Sequence, residues 1–258
     1  MERHGQIVDR AFTEQASTFN ASAVANAAEI LDVIVEDAQP QRSERWLEAA
    51  CGPGIISRRL APLVASVHGV DITPAMVETA RREAQAAGID NATFEVGDAT
   101  ATDLDDESFD GALTRFSIHH LPVPGRLFAE LARLVRPGGR IVVVDHLADE
   151  DAEARAWAQE VERLRDPSHW ASLSAARLCA LGERAGLELE RERRFAFELD
   201  FDDWLRRGTS DPAARQLVEL ALAGRPRGTD FFKVEEQPQG RVLTLQMWLG
   251  FWSRTPQR

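Results

Sequence analysis

The stretch Arg45-Trp-Leu-Glu-Ala-Ala-Cys-Gly-Pro-Gly54 decides how this chain folds. An apolar strand runs into a turn carrying Gly52 and Gly54, and the helix-forming segment Ile55-Ile-Ser-Arg-Arg-Leu-Ala61 follows at once. Glycine at those turn positions lets backbone approach a ligand that a Cβ would push away. A second apolar run, Val67-His-Gly-Val70, ends in Asp71, a carboxylate able to accept hydrogen bonds from ribose hydroxyls, as nucleotide-binding βαβ units require. Ser57 stands where the dinucleotide pattern G-x-G-x-x-G needs its third glycine, which counts against a nicotinamide dehydrogenase.

The pattern continues downstream. Phe94-Glu-Val-Gly-Asp98-Ala99 places another acid after a third apolar run, and Leu134-Val-Arg-Pro-Gly-Gly139 introduces the strand Arg140-Ile-Val-Val-Val-Asp145. Taken in order, these segments resemble the class I S-adenosylmethionine (SAM) dependent methyltransferases, and within them the small-molecule type 11 branch, ubiquinone/menaquinone-methyltransferase-like. The resemblance spans residues 40–150. It implies that Glu48 opens the first motif and that Cys51, Gly52 and Gly54 form the turn under the methionine portion of SAM. By the same resemblance, Asp71 is the ribose-binding acid, Ile72 packs on the adenine, and Asp98 and Ala99 lie at the adenine edge. Ala50 replaces the usual first glycine of the motif. Arg115, at a strand end, is a candidate clamp for the methionine carboxylate or an acceptor carboxylate, or else an ion-pair partner of Glu48 or Asp145.

Composition narrows the partners. The formal charge is −12 with no long basic run, which opposes a nucleic-acid substrate, whose phosphates draw binding proteins through basic side chains. No [Asn/Asp]-Pro-Pro-aromatic tetrad follows the fourth strand; Phe116-Ser-Ile-His119 stands there instead. Cys51 and Cys179 form no CxxC pair and no disulfide framework, consistent with a cytoplasmic protein. No apolar run approaches the length of a membrane span. The expected partners are a small-molecule acceptor, no nucleic acid and no membrane, with the protein a monomer or homodimer.

Strands expected at 45–50, 66–71, 92–96, 109–116 and 140–146 alternate with helices at 54–64, 74–87 and 124–135, the sign of a parallel sheet covered on both faces. Thr73-Pro74 starts a helix, and Gly88 and Gly138-Gly139 are expected to stop helices. Helices at 150–165 and 174–185, a strand at 187–199, helical character over 200–224, a loop at 225–240 and a final strand over Val242–Trp252 complete the reading. The expected fold is α/β and Rossmann-like: a seven-stranded, mostly parallel sheet with helices on both faces, its last strand antiparallel. It divides into an N-terminal helical segment or lid (1–40), a SAM-binding core (41–150) and a C-terminal part of the same domain (151–258), with a substrate-lid insertion at about 200–240. In the N-terminal segment Val24, Ala27, Ala28, Leu31 and Ile34 follow helical spacing, and Phe12 and Phe19 are candidate lid aromatics. Phe19-Asn-Ala-Ser22 is only a loose echo of the quinone-enzyme pattern.

Ligands of open parallel sheets bind beyond the carboxyl ends of the strands. That rule selects Arg115-Phe-Ser-Ile-His119-His120 and Asp145-His146. Four of the six histidines, His119, His120, His146 and His169, fall in or after such loops, and the chain has no tyrosine to act as acid or base. Histidine suits removal of an acceptor proton because its pKa lies near neutrality. His120 and His146 are the preferred bases, with Asp145 or Asp166 orienting a ring. A metal at this cluster is not expected, because His119 and His120 are adjacent in sequence without an i,i+4 pattern and the resembled branch is metal-free. Trp170 and Trp204 are candidate walls of an apolar acceptor pocket. The expected activity is SAM-dependent O- or C-methylation of a small apolar or aromatic metabolite, in keeping with secondary metabolism. The alternative is a SAM-binding relative that catalyses a rearrangement or cyclisation, or only binds a ligand.

Overall fold

The computed structural model describes residues 2–20, 28–209, 211–226, 229 and 231–255; Val24, Ala27 and the Ala21-Ser22 part of the quinone echo lie outside them, as does the side chain of Phe19. In chain order the elements are α1 (Glu2–Asn20), α2 (Ala28–Ala38), β1 (Arg45–Ala49), α3 (Ile55–Leu60), β2 (Ser66–Asp71), α4 (Pro74–Ala86), β3 (Ala92–Val96), β4 (Phe109–Arg115), α5 (Pro124–Leu134), β5 (Val135–His146), α6 (Ala152–Arg165), α7 (Ala175–Arg184), β6 (Leu187–Asp200), α8 (Phe201–Gly208), α9 (Pro212–Ala223), β7 (Phe232–Gln237) and β8 (Gly240–Arg254).

The strands form one sheet in the order β3-β2-β1-β4-β5-β8-β6, with β7 added on β8. Strands β1 to β5 run parallel, and β8 is antiparallel to β5, β6 and β7. A strand covered on both faces reads as a continuous apolar run instead of an alternating one. Trp46 and Leu47 of β1 and Ile141 to Val144 of β5 obey this, all being buried. On one face Leu31, Ile34, Val35 and Ala38 of α2 pack with Trp46 and Leu60; on the other, Leu127, Phe128 and Leu131 of α5 pack with Leu47 and Ile141. The buried positions of α2 repeat at i, i+3, i+4 and i+7, the stripe that docks a helix on a sheet.

Two local expectations are corrected. Residues 225–240 are not all loop: Phe232–Gln237 pairs antiparallel with the first half of β8, from Phe232 opposite Leu245 to Gln237 opposite Gly240, so the sheet has an eighth strand. Its apolar alternation is only Phe232 and Val234, hidden among Lys233, Glu235 and Glu236, and Phe232 is buried edge-on against Trp157 and Trp204. Gly138-Gly139 does not stop a helix. Helix α5 ends at Leu134, where Val135 turns extended, and both glycines lie within β5, Gly138 at φ 77°. Gly88 does follow α4 with φ 66°. Among the described residues no helix is long and apolar enough to cross a membrane.

Strand order reverses between β1 and β4: from β1 the chain steps outward to β2 and β3, and β4 then starts the other half. The crevice at the carboxyl ends of these two strands is where open α/β sheets bind ligands.

Candidate active site

The turn after β1 is built on three residues in the left-handed region: Ala50 at φ 54°, Gly52 at φ 50° and Gly54 at φ 70°. A Cβ on Gly54 would sit 2.8 Å from the ring of Phe94, so glycine is required there by space as well as by φ. Ala50 sits in the left-handed region that glycine favours, a conformation that costs a residue with a Cβ about 1–2 kcal/mol. Ala50→Gly is therefore expected to raise stability by about 0.5–1 kcal/mol, once the extra freedom of glycine in the unfolded chain is subtracted. A thermal melt that shows no gain, or a loss, refutes the strain.

Asp71 at the end of β2 locks this turn: Oδ2 accepts from Gly52 N–H at 2.8 Å and Oδ1 from Thr73 N–H at 2.9 Å. Burial pushes its carboxyl above the usual carboxylate range, opposed by those two donors. At the end of β1, Glu48 accepts from both Ser57 N–H and Ser57 Oγ–H, and burial raises it to about 7 against the pull of Ser57 and Arg115. Burial also brings Arg115 down to about 10, leaving it cationic at neutrality; its guanidinium lies 4.8 Å from the centre of the Phe116 ring. Burial, aided by the charges of Asp71 and Glu48, pushes the Cys51 thiol well above its ordinary pKa, which favours the protonated thiol.

These residues open into a cavity of about 550 Å³. Of the sequence-derived binding residues, Glu48, Ala50, Cys51, Gly52, Asp71, Ile72, Asp98, Ala99 and Arg115 line it, while Gly54 sits behind the turn. Asp98 accepts from Thr100 N–H and Oγ–H at one end. Ile72 is 39% and Val123 44% exposed, unusual for apolar side chains and explained by their place on the cavity wall. Helix α1 contributes His4, Gly5, Gln6, Val8, Asp9 and Phe12 to the lining, so it roofs the cavity. It is tied down by His4 Nε2, 2.8 Å from the carbonyl oxygen of His120, by His4 edge-on to Trp170, and by Phe12 edge-on to His120 at 4.9 Å.

A second cavity of about 90 Å³ shares Phe12, Phe116 and His120 with the first. Its remaining walls include His119, His146, Trp204 and the apolar side chains Phe197, Leu199, Leu245 and Met247. Phe116, where the two meet, has φ 56°, a strained backbone for an aromatic residue of the kind found at ligand sites. Trp204 thus stands where an acceptor wall was expected, whereas Trp170 is 46% exposed and packs on His4.

The four histidines converge, with ring centroids of His119 at 4.1 Å from His120 and from His146 and at 5.5 Å from His169. His119 Nδ1 is 2.6 Å from Asp145 Oδ1. Burial first, and the neighbouring imidazoles second, push His119 and His169 well below the ordinary histidine range; burial also lowers His146, against the pull of Asp145. His120 is placed differently, since it alone of the four lines both cavities. Its Nδ1 lies 3.0 Å from Ser168 Oγ and 3.1 Å from Ser168 O, and Ser168 Oγ–H donates to Asp166 Oδ1 at 2.5 Å. Because that hydroxyl proton goes to Asp166, Ser168 accepts from His120, which fixes the proton on Nδ1 and leaves Nε2 with the basic lone pair. His169 lines neither cavity; its Nε2 is 2.7 Å from Gln159 Oε1. Sequence reasoning missed the roof residues of α1 before Phe12, the Ser168 link and Gln159; spacing carries no signal for contacts made between distant loops and helices.

A family model described as "Methyltransferase domain" matches residues 47–143. The chain is 30% identical over 234 residues to the uncharacterized methyltransferase YcgJ of Bacillus subtilis, covering 90% of this chain and 92% of that protein. The crystal structure of YcgJ superposes with a TM-score of 0.83 at 26% identity, covering 89% of this chain and 99% of that one. A Bacillus halodurans C-125 structure described as a methyltransferase gives 0.82 at 25% identity, over 89% and 100% of the two chains. The aklanonic acid methyltransferase DauC of Streptomyces sp. (strain C5) is 34% identical over 137 residues, 52% of this chain and 62% of its own length.

Proposed function

The chain belongs to the methyltransferase family, and from that premise we propose that it transfers the methyl group of SAM to an oxygen or carbon of a small apolar or aromatic acceptor. One observation carries the reading. The left-handed turn of Ala50, Gly52 and Gly54, locked by Asp71, opens into a cavity that also presents Ile72, Asp98 and Glu48. These groups fit the cofactor chemically. The turn has room for the methionine chain, Asp71 keeps lone pairs for a ribose, Ile72 and Val123 offer apolar faces to an adenine, and Asp98 accepts from an exocyclic amine. Glu48 and Arg115 meet the ammonium and carboxylate of an amino acid.

When bound, SAM supplies an electrophilic methyl on a sulfonium. The protein must align the acceptor in line with it, exclude water and take a proton from an acidic acceptor. Helix α1 and the wall from α8 exclude water, Phe116 and Trp204 orient the acceptor, and His120 takes the proton on Nε2. Asp166, reached through Ser168, steadies the resulting imidazolium; burial alone would raise its carboxyl, but His120, Arg165 and the Ser168 donors hold it below the usual range. We assign the lid role to α1 together with the 200–240 segment. The name of the Streptomyces relative, for aklanonic acid, accords with a small-molecule acceptor.

Calorimetric titration with SAM tests the reading, followed by acceptor screening for S-adenosylhomocysteine release and a product heavier by one methyl. Saturable binding is expected, and it must depend on pH. The Glu48 carboxyl is neutral below about 7, and a cationic ligand favours its ionised form, so affinity rises as pH climbs through that value and levels off above it. Between pH 6 and 8 the gain is about tenfold, the linkage expected of one such group. Glu48→Gln flattens the profile. A folded protein that ignores SAM sinks the proposal, and SAM binding without homocysteine-product release under any acceptor moves it to the non-methylating alternative.

A further inference from the structure

The histidine cluster holds more than the reaction above uses. His119 comes from the turn after β4, His146 from the end of β5 and His169 from the connection between α6 and α7. One ring nitrogen of each lies within 4.8 Å of one ring nitrogen of the others. Two of these rings carry a buried nitrogen with no hydrogen-bond partner among the described residues, His146 Nε2 and His169 Nδ1. A buried polar atom left unpaired is costly, and each such atom in a folded protein calls for a missing partner.

The surroundings fix which nitrogens are free. Gln159 Nε2–H donates to Ser172 O at 3.1 Å and Gln159 Oε1 accepts from Ser172 N–H at 3.1 Å, so the amide orientation is set by the backbone. Oε1 can then only accept from His169, which protonates Nε2 and leaves a lone pair on the unpaired Nδ1. Asp145 does the same for His119: its Oδ1 takes the Nδ1–H, leaving the lone pair on Nε2. Asp145 is itself held by the backbone N–H groups of His146 at 2.8 Å and His119 at 3.2 Å. A carboxylate or amide behind a ligating imidazole is the arrangement that orients histidines at metal centres. His146 Nε2 and His169 Nδ1 thus lack a partner among the described residues, and on His169 the bare atom carries a lone pair, which an electron-pair acceptor would satisfy.

We propose that His119, His146 and His169 bind a divalent transition-metal ion of the zinc class, with a fourth position open to the smaller cavity that His119 and His146 line. Neutral imidazoles suit Zn²⁺ and its neighbours over Mg²⁺ or Ca²⁺, which prefer oxygen ligands, and three protein ligands plus one open position is the pattern of catalytic zinc. At a metal–nitrogen distance of about 2.1 Å, tetrahedral ligands stand about 3.4 Å apart, so the rings draw in by about 1 Å on binding. The open position takes an oxygen ligand, water when nothing else is present. The adjacent pair His119-His120 offers no metal-ligand spacing, but the ligand triangle instead joins the turn after β4, the end of β5 and the α6–α7 connection.

The test needs no SAM and no acceptor, so its outcome is independent of the methyl-transfer proposal. The chelator-stripped full chain is titrated with Zn²⁺ against a chromophoric chelator, and with Co²⁺ for its visible absorption. One Zn²⁺ per chain is expected, with Co²⁺ bands of tetrahedral intensity. His146→Ala and His169→Ala each weaken binding at least a hundredfold, while His68→Ala, on β2 beside Thr93, leaves it unchanged. Gln159→Leu keeps every ligand and is expected to weaken binding by about ten- to a hundredfold. It decides the matter if an alanine variant fails to fold. Absence of stoichiometric Zn²⁺ in the wild type, or wild-type affinity in folded His146→Ala or in Gln159→Leu, overturns the proposal.

Discussion

Replacing Asp71 with alanine is expected to weaken SAM binding by at least a hundredfold. The carboxylate does two jobs in the structure: it accepts the N–H groups of Gly52 and Thr73, which shapes the turn, and it lines the cavity where ribose hydroxyls are proposed to lie. A hydrogen bond to a charged group is worth about 1.5–3 kcal/mol, so two lost ribose bonds amount to about 3–6 kcal/mol, or two to four decades in affinity. Asp71→Asn separates the two jobs. The amide keeps one acceptor for the turn but turns a donor toward the N–H of Gly52 or of Thr73, so its loss should be smaller yet still clear. Circular dichroism establishes that both variants are folded, and calorimetry reads the affinity. A folded Asp71→Ala protein with the wild-type dissociation constant would show that the ribose lies elsewhere.

The second large effect falls on turnover and spares the cofactor. His120→Ala is expected to lower kcat by about 10²–10⁴, the range for loss of a positioned base, with SAM affinity changed only a few-fold. The split follows from the geometry. His120 stands where the two cavities meet, its Nδ1 fixed by Ser168, while Glu48, Asp71 and Asp98, the groups proposed to hold SAM, come from other strand ends. Ser168→Ala is a milder version: it cuts the hydroxyl link to Asp166 while the backbone carbonyl of residue 168 still accepts from Nδ1, so kcat should fall less than in His120→Ala. Normal single-turnover rates in His120→Ala, measured with any acceptor found by product mass, would remove it from the proton path.

Much of this site is legible in the sequence because its parts sit at strand ends. The segments around Gly52, Asp71, Asp98 and His119 each pair a short apolar run with an unusual residue just beyond it, and the parallel sheet delivers all of those ends to one edge. Burial on both faces makes such strands conspicuous, which is why β1 and β5 stand out, whereas β7 shows a single two-residue alternation among charges. What the sequence conceals is everything set by long-range contact. Gln159 is one polar position on an amphipathic helix until Ser172 and His169 fold against it. Ala50 offers the opposite lesson: the residue departs from glycine, yet its backbone lies in the left-handed region that glycine favours.

The contact between His4 and Trp170 has a spectroscopic consequence. The chain has no tyrosine, and of its six tryptophans Trp46, Trp157, Trp204, Trp248 and Trp252 are buried, while Trp170 alone reaches solvent, with an imidazole of the roofing helix set edge-on to it. An aqueous quencher such as iodide therefore selects one indole, and that indole adjoins the helix proposed as a lid. The molecule carries an intrinsic optical reporter at the contact between α1 and the α6–α7 connection, readable on the unmodified protein.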